Sequence, residues 1–291
     1  MAAPEPPRAL TGIALSVAAC ACFAILDAST KYVAAALPLF MALWLRYLFQ
    51  SLLTTAYVRR SLGTWLPRTA HLRYQWLRAV LFAATSLFGY FSLRFMPLAE
   101  FTAIVAAIPL CVTLAAALWL RHPVSRARWT LVLTGLASVL IILRPGSGMF
   151  GWALLLPLAM LAMGTGYQVL SSLMARREDP ATTQFYTGWL GTLLMSFGAP
   201  LVWTAVPSVW LWLGTFVMGL SSACGHFLLL RAYSHAQPAT ITPFLYSQIG
   251  FAVIAGWLFY GQVPDGWSRV GMLLIALSGA ASAWLTVRES R

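Results

Sequence analysis

Apolar residues along this chain come in long runs, separated by short clusters rich in Arg, Pro and Gly. A helix of about 20 residues crosses the hydrocarbon of a bilayer. The runs predict ten such helices, near 10–31, 38–58, 74–94, 98–120, 127–144, 150–173, 181–203, 208–231, 237–259 and 267–287. Residues 181–230 hold no Asp, Glu, Lys or Arg, and Pro200 and Pro207 divide that stretch into two spans. Period-two alternation is absent, which disfavours a β-barrel. Backbone facing lipid must be hydrogen-bonded within its own segment, so the runs read as helices. The expected fold class is all-α, a polytopic membrane protein of ten transmembrane helices.

Composition agrees: the chain is 60% hydrophobic and 9% charged, where soluble domains carry about 25% charged residues. Its net charge is +12, but the basic residues are scattered between spans rather than gathered in a patch. Nucleic acid is therefore not an expected partner; membrane lipid and a small-molecule solute are. Their placement sets a direction, because cytoplasmic connections carry the excess of Lys and Arg. With the N-terminus inside, the inner connections hold Arg8, Arg59, Arg60, Arg68, Arg73, Arg121, Arg126, Arg128, Arg176, Arg177, Arg231, Arg288 and Arg291. The outer side holds Lys31, Arg94, Arg144 and Arg269. This asymmetry puts both termini in the cytoplasm of a bacterial inner membrane. The Pro-rich N-terminus does not begin as a cleaved signal peptide would. The longest polar connection, 59–73, is too short for a nucleotide-binding or catalytic domain.

Landmarks recur in order. Gly12 and Gly151 open the first and sixth spans, and Pro38 and Pro180 precede the second and seventh. Trp119 and Trp129 are spaced like Trp257 and Trp267. Residues 1–146 and 147–291 thus read as two five-helix repeats. An odd number of spans per repeat makes them inverted, a recurring plan among carriers that work by alternating access.

With FAILDASTK at 23–31, LWLRY at 43–47, and similar span-turn-span units at 98–144 and 237–287, the chain resembles the drug/metabolite transporter superfamily in its EamA-like branch. The resemblance runs from about residue 10 to 287 and implies the 5+5 inverted-repeat fold and a carrier function. Members move amino acids, nucleotide sugars, vitamins, purines, S-adenosylmethionine or drugs. In size and layout the chain is similar to a bacterial amino-acid exporter, which implies export of amino acids, aromatic ones included. Another small metabolite, such as S-adenosylmethionine, a vitamin or a purine, is the alternative, and a channel the less favoured one. Many members carry a Glu in the turns after the fourth and ninth spans, where this chain has residues near His122 and Gln262.

Ionisable groups inside hydrocarbon are costly and mark cavities or helix contacts. Asp27 and Lys31, one turn apart, and Arg46 in the second span form an expected network: a gate, a site for a solute carboxylate on Arg46, or a structural ion pair. Arg78 reads as an anchor snorkelling to the inner surface. His226 in SSACGH reads as a packing donor or a cavity residue. Trp44, Tyr47, Tyr90, Trp119, Tyr167, Tyr186, Trp189, Tyr246 and Trp257 fall deep enough for a cavity wall. An aromatic wall with a few hydroxyls suits a modest organic solute. The expected substrate-binding set is Trp44, Arg46, Tyr90, Tyr167, Gln168, Tyr186, Tyr246 and Gln248. Pro109 and Pro243 interrupt repeat-related spans, and Gly164 and Gly166 sit in the sixth, so these four are expected hinges. Trp65, Trp129, Trp203, Trp210, Trp267 and Trp284 lie near span ends as an interfacial belt.

The chain lacks a GxxxxGK[ST] phosphate loop, an HExxH helix and a GxSxG elbow, so no enzyme, metal or cofactor is expected. The four Cys follow no metal-ligand spacing. A monomer and a homodimer both fit.

Overall fold

The computed structural model describes residues 6–118, 125–143, 153, 155–174, 177–235, 241 and 244–289. They form α1 (Pro6–Ala34), α2 (Leu39–Leu62), α3 (Leu72–Phe95), α4 (Leu98–Val105), α5 (Ile108–Leu118), α6 (Arg126–Leu143), α7 (Leu155–Met174), α8 (Pro180–Ser196), α9 (Val209–His235), α10 (Ser247–Tyr260) and α11 (Gly266–Glu289). The fourth span is α4 and α5 together, and α10 is the ninth. The expected repeat boundary at 146/147 lies outside the described residues.

Local chemistry sets these limits. Asp179 accepts from the N–H groups of Ala181 and Thr182 (2.8 and 3.2 Å), and Pro180 occupies the first turn, a strong helix start. The fourth span breaks at Ala106 and Ala107, just before Pro109, whose ring lacks an N–H for the i–4 bond. Tighter bonds bridge the break, from Ala107 N to Ile104 O and from Leu110 N to Ala107 O, both 3.0 Å. The ninth span breaks at Tyr246, and the Leu245 carbonyl freed there lies 3.4 Å from the Cys20 thiol of α1. Pro243 is outside the described residues.

Helix contacts trace a closed ring in the order α1, α9, α2, α8, α3, α7, α5 with α4, α10, and back to α1. Outside it, α6 pairs with α11. Exchanging the first five spans with the last five maps α1·α9 onto α7·α3 and α2·α9 onto α8·α3, and returns α2·α8, α4·α10 and α6·α11 to themselves. This is the packing of an inverted repeat.

In lipid, helices associate through close packing of small residues and shared hydrogen bonds. A Cβ added at Gly188 of α8 would lie 2.7 Å from Ser51 Oγ of α2, and one at Gly191 would lie 2.7 Å from the Tyr47 ring. A Cβ at Gly219 of α9 would lie 2.5 Å from Phe49 Cβ. These glycines let α8 and α9 close on both flanks of α2. Among the described residues, three segments suffice by length and hydropathy alone to cross a membrane, Leu10–Ala34, Leu72–Phe95 and Val209–Leu229. The more polar α2 and α8 lie side by side in the ring, where neighbouring helices cover much of their surface. Leu133, Leu140, Ile254, Leu273 and Leu277 are exposed on the outside of the bundle. Trp65, Trp203, Trp210, Trp267 and Trp284 are exposed near span ends.

Candidate functional site

One face of α3 carries Gln75, Arg78, Phe82 and Ser86, spaced three and four apart so that they stack along the helix. On α2, Arg46, Gln50, Leu53 and Tyr57 share a face by the same rule, and on α9 so do Gly219, Ser222 and His226. These faces meet inside the ring.

Arg46 is 7% exposed. Its Nη1 donates to Ser86 Oγ (3.3 Å) and its Nη2 to Ser222 Oγ (3.4 Å). Ser222 in turn donates to Gln50 Oε1 at 2.9 Å. The guanidinium lies over the rings of Tyr47 and Phe82, 5.5 and 5.6 Å from their centroids. Phe82 stacks on Tyr167 of α7 with centroids 4.8 Å apart. His226 meets Phe82 edge-on, and Phe23 of α1 meets His226. Arg78 covers Tyr167 at 5.2 Å and donates to its hydroxyl at 3.3 Å. The result is a layered stack, Arg46–Phe82–Tyr167–Arg78, drawn from three helices.

Arg78 is 3% exposed, which corrects its reading as a snorkelling anchor. Its other donors reach Ser171, Gln75, Thr187 and the Thr183 carbonyl at 3.0–3.5 Å, joining α3 to α7 and α8. A side chain with neutral oxygen partners on two neighbouring helices has no need to reach for the surface. Gln75 continues the chain of contacts to Glu178 (3.5 Å), which also accepts from Thr69 Oγ1 and Ala70 N.

The two ends of the interior differ. Call the end bearing the arginine-rich connections the near end, and the opposite one the far end. Near-end residues Leu53, Thr54, Tyr57, Ala181, Gln184, Leu220, Ala223, Cys224 and Phe227 line a cleft with about 620 Å³ of free space, its mouth included. It follows the Arg46 face of α2, and much of its space is open to the outside. At the far end, α1 packs across the ring against α3 and α4. Lys31 Nζ donates to the carbonyls of Leu93 and Met96 (2.8 and 2.7 Å). Asp27 Oδ2 accepts from Thr102 Oγ1 and Gln248 Nε2, both at 3.2 Å. Tyr260 OH donates to Ala28 O (2.6 Å), and Leu98 N donates to Gln262 Oε1 (3.1 Å). Gln262 thus caps α4 by a neutral hydrogen bond; His122 lies outside the described residues.

The expected residues are distributed as follows. Arg46 and Tyr167 meet in the central cluster. The Asp27, Lys31 and Arg46 network is divided: Asp27 bonds α4 and α10, Lys31 bonds main-chain carbonyls, and Arg46 bonds serines. Gln248 joins Asp27 at the far end. Trp44 donates to Ser196 Oγ (2.8 Å) and packs edge-on against Trp203. Tyr90 donates to Leu37 O (2.6 Å) and Tyr186 to Pro67 O (2.9 Å). Trp44 and Tyr90 belong to the same apolar cluster as Tyr47, Phe82 and Tyr167, but the polar tips of Trp44, Tyr90 and Tyr186 are each held by an oxygen of a neighbouring helix or connection. Trp189 bonds Thr55 between α8 and α2. Tyr246 is buried among α4, α6 and α11 residues. Gln168 is exposed, one residue past Tyr167. Trp257 is 63% exposed, which removes it from the wall; Trp119 is outside the described residues. Gly164 and Gly166 bring α7 close to Ile108 and Leu81. Sequence reasoning passed over Phe23, Phe82 and Ser86. The legible signal was the polar stripe 75, 78, 86 within an apolar span.

Comparisons with known proteins agree with this architecture. Residues 150–283 match the model of the EamA-like transporter family. The riboflavin transporter of Rhizobium johnstonii is 30% identical over 293 residues, covering 99% of this chain and 94% of its own. The pseudopaline exporter of Pseudomonas aeruginosa is 26% identical, with 92% and 94% covered. A solved crystal structure 18% identical shares the fold, with a TM-score of 0.64 over 97% of this chain and 99% of the other. Members of this family are transporters, not enzymes. The chain belongs to the EamA-like branch of the drug/metabolite transporters and is a multi-pass bacterial inner-membrane carrier of small metabolites.

Proposed function

We propose that this carrier moves a flat heteroaromatic metabolite of the vitamin class, with riboflavin the first cargo to test. The observation that carries the reading is the stacked Phe82–Tyr167 pair, with His226 edge-on to Phe82 and Phe23 edge-on to His226, inside the ring. The faces of Phe82 and Tyr167 are taken by each other and by the two guanidiniums, so a flat π system would meet ring edges, or a face freed when the repeats move, at roughly 0.5–1.5 kcal/mol per aromatic contact beyond burial. Gln50, Ser86, Ser222 and the two guanidiniums supply polar partners for a ring's oxygens and nitrogens. The riboflavin transporter's similarity along the full chain points the same way. That similarity makes the vitamin alternative stronger than amino-acid export.

In this reading the near end is cytoplasmic, both termini are inside, and the far-end contacts are a closed outer gate. The two repeats exchange inward-open and outward-open forms around the Arg46 cluster. The test is counterflow of labelled riboflavin into proteoliposomes. Saturable, counterflow-stimulated uptake is expected. Tyr167→Ala should raise KM about tenfold, from lost stacking and packing, whereas Tyr90→Ala should lower abundance. No flavin flux by the wild-type protein would reject this cargo class.

A further inference from the structure

Two guanidiniums stand inside this bundle without a carboxylate bound to either. Every hydrogen-bond partner of Arg46 and Arg78 is a hydroxyl, a carbonyl or an amide oxygen. Arg46 Nε is buried and bonded to nothing. Asp27 lies within Coulombic range of Arg46, but its bonded oxygen already serves Thr102 and Gln248. Glu178 reaches Arg78 only through Gln75.

A cation kept in low dielectric with neutral partners is expensive, and a bound carboxylate would relieve it. Serine, threonine and glutamine hold these groups in place without cancelling their charge. Among the described residues, Arg46 and Arg78 stand against the single nearby carboxylate of Asp27, and the net positive field between low-dielectric walls concentrates anions. The aromatic layers between the two arginines then fix where the organic part of such an ion rests.

On these grounds, and resting on the carrier reading above, we infer that within the flat heteroaromatic class this carrier favours anionic members, so that riboflavin's 5′-phosphate is a better cargo than neutral riboflavin. Such a cargo carries a carboxylate or phosphate that Arg46 receives, while its ring meets the edges of Phe82 and Tyr167, whose faces are covered by each other and by the guanidiniums. Arg78 acts as a positioning residue that fixes the Tyr167 ring and adds to the positive field. A guanidinium meets such an oxyanion through paired N–H donors, and Arg46 holds an unused donor beside two that grip only single hydroxyls.

Matched cargo pairs test this. Riboflavin is uncharged, and its 5′-phosphate differs by the anionic group alone. 2-Naphthoate and 2-naphthamide make the same comparison as binding probes, read by thermal stabilisation of the purified carrier. The wild-type protein should favour the anionic member of each pair by about tenfold or more. R46Q should cost the anionic member at least about tenfold more than the neutral one, and R46K should retain part of the preference. Equal recognition of both members by the wild-type carrier overturns the inference. So does an R46Q variant that weakens both members equally, which is the signature of a purely structural cation. If R46Q does not fold, the wild-type and R46K preferences decide. Absence of flavin flux together with Arg46-dependent preference for naphthoate rejects the flavin cargo and upholds the charge selectivity.

Discussion

The far and near ends of the interior are related by the inverted repeat, yet they are packed differently. At the far end α1 closes against α3 and α4. The repeat-equivalent contact of α1 with α3 is α7 with α9 at the near end, and these helices make no comparable contact among the described residues. Among the described residues, one pseudosymmetric scaffold is therefore packed more closely at its far end than at its near end. The difference lies in side chains from both repeats that bond across the far end. Lys31, Asp27, Tyr260 and Gln262 each bond across the far end. At the near end, Arg78 and Glu178 tie α3 to α7, α8 and their connection, and leave α9 out. Closure here depends on a few hydrogen bonds between helices, which are weak enough to break and strong enough to bias the population.

That contrast can be broken most severely at Arg78. Arg78→Leu leaves Ser171, Thr187 and Tyr167 without their common donor. It is expected to cost about 2–3 kcal/mol, on the scale of hydrogen bonds to charged groups. A fall in membrane abundance and in the thermal midpoint by fluorescence-detected gel filtration would show it; an unchanged midpoint would place Arg78 outside the near-end scaffold.

Next comes Lys31→Met. Loss of two carbonyl contacts should weaken far-end closure by about 2 kcal/mol, a shift of roughly 30-fold toward the opposite state. The readout is the rate at which an impermeant maleimide labels a cysteine at Ala28 from the far side, in a background lacking the native cysteines. An unchanged rate would mean that Lys31 does not hold this end.

Gly191→Val tests the flank that both states share. A side chain against the Tyr47 ring is expected to separate α8 from α2 and cost about 1–3 kcal/mol, lowering abundance without changing the labelling rate per folded molecule. The mildest change is Tyr260→Phe. Removing one neutral hydrogen bond to Ala28 O should alter the same labelling rate by about threefold, near the average of 0.6 kcal/mol for membrane hydrogen bonds.

Much of the fold was legible because the bilayer imposes it. Helices α1, α2, α3, α9 and α11 coincide with predicted spans to within a few residues, since apolar length and charged ends act locally. The breaks were half legible. Pro109 marked the fourth span, but the turn at Tyr246 depends on how the freed carbonyl meets Cys20 from another helix. The seventh span stops at Ser196 and gives way to a short 3₁₀ turn at Ala199–Val202, ahead of the predicted end at 203. Site residues were least legible. Depth along a helix says whether a tyrosine is inside the membrane, but not whether its hydroxyl finds Leu37 O, Pro67 O or Arg78.

The sequence by itself determined that this chain lives in a membrane, how many times it crosses, which ends are basic, and that its halves repeat. Those properties follow from transfer free energies summed over single segments. Only the tertiary structure decided that Arg46 and Arg78 bracket an aromatic pair, that Lys31 and Asp27 take different partners, and that one end is packed more closely than the other. These depend on the rotation and approach of whole helices, set by small residues such as Gly188, Gly191 and Gly219 that carry little signal when read one at a time.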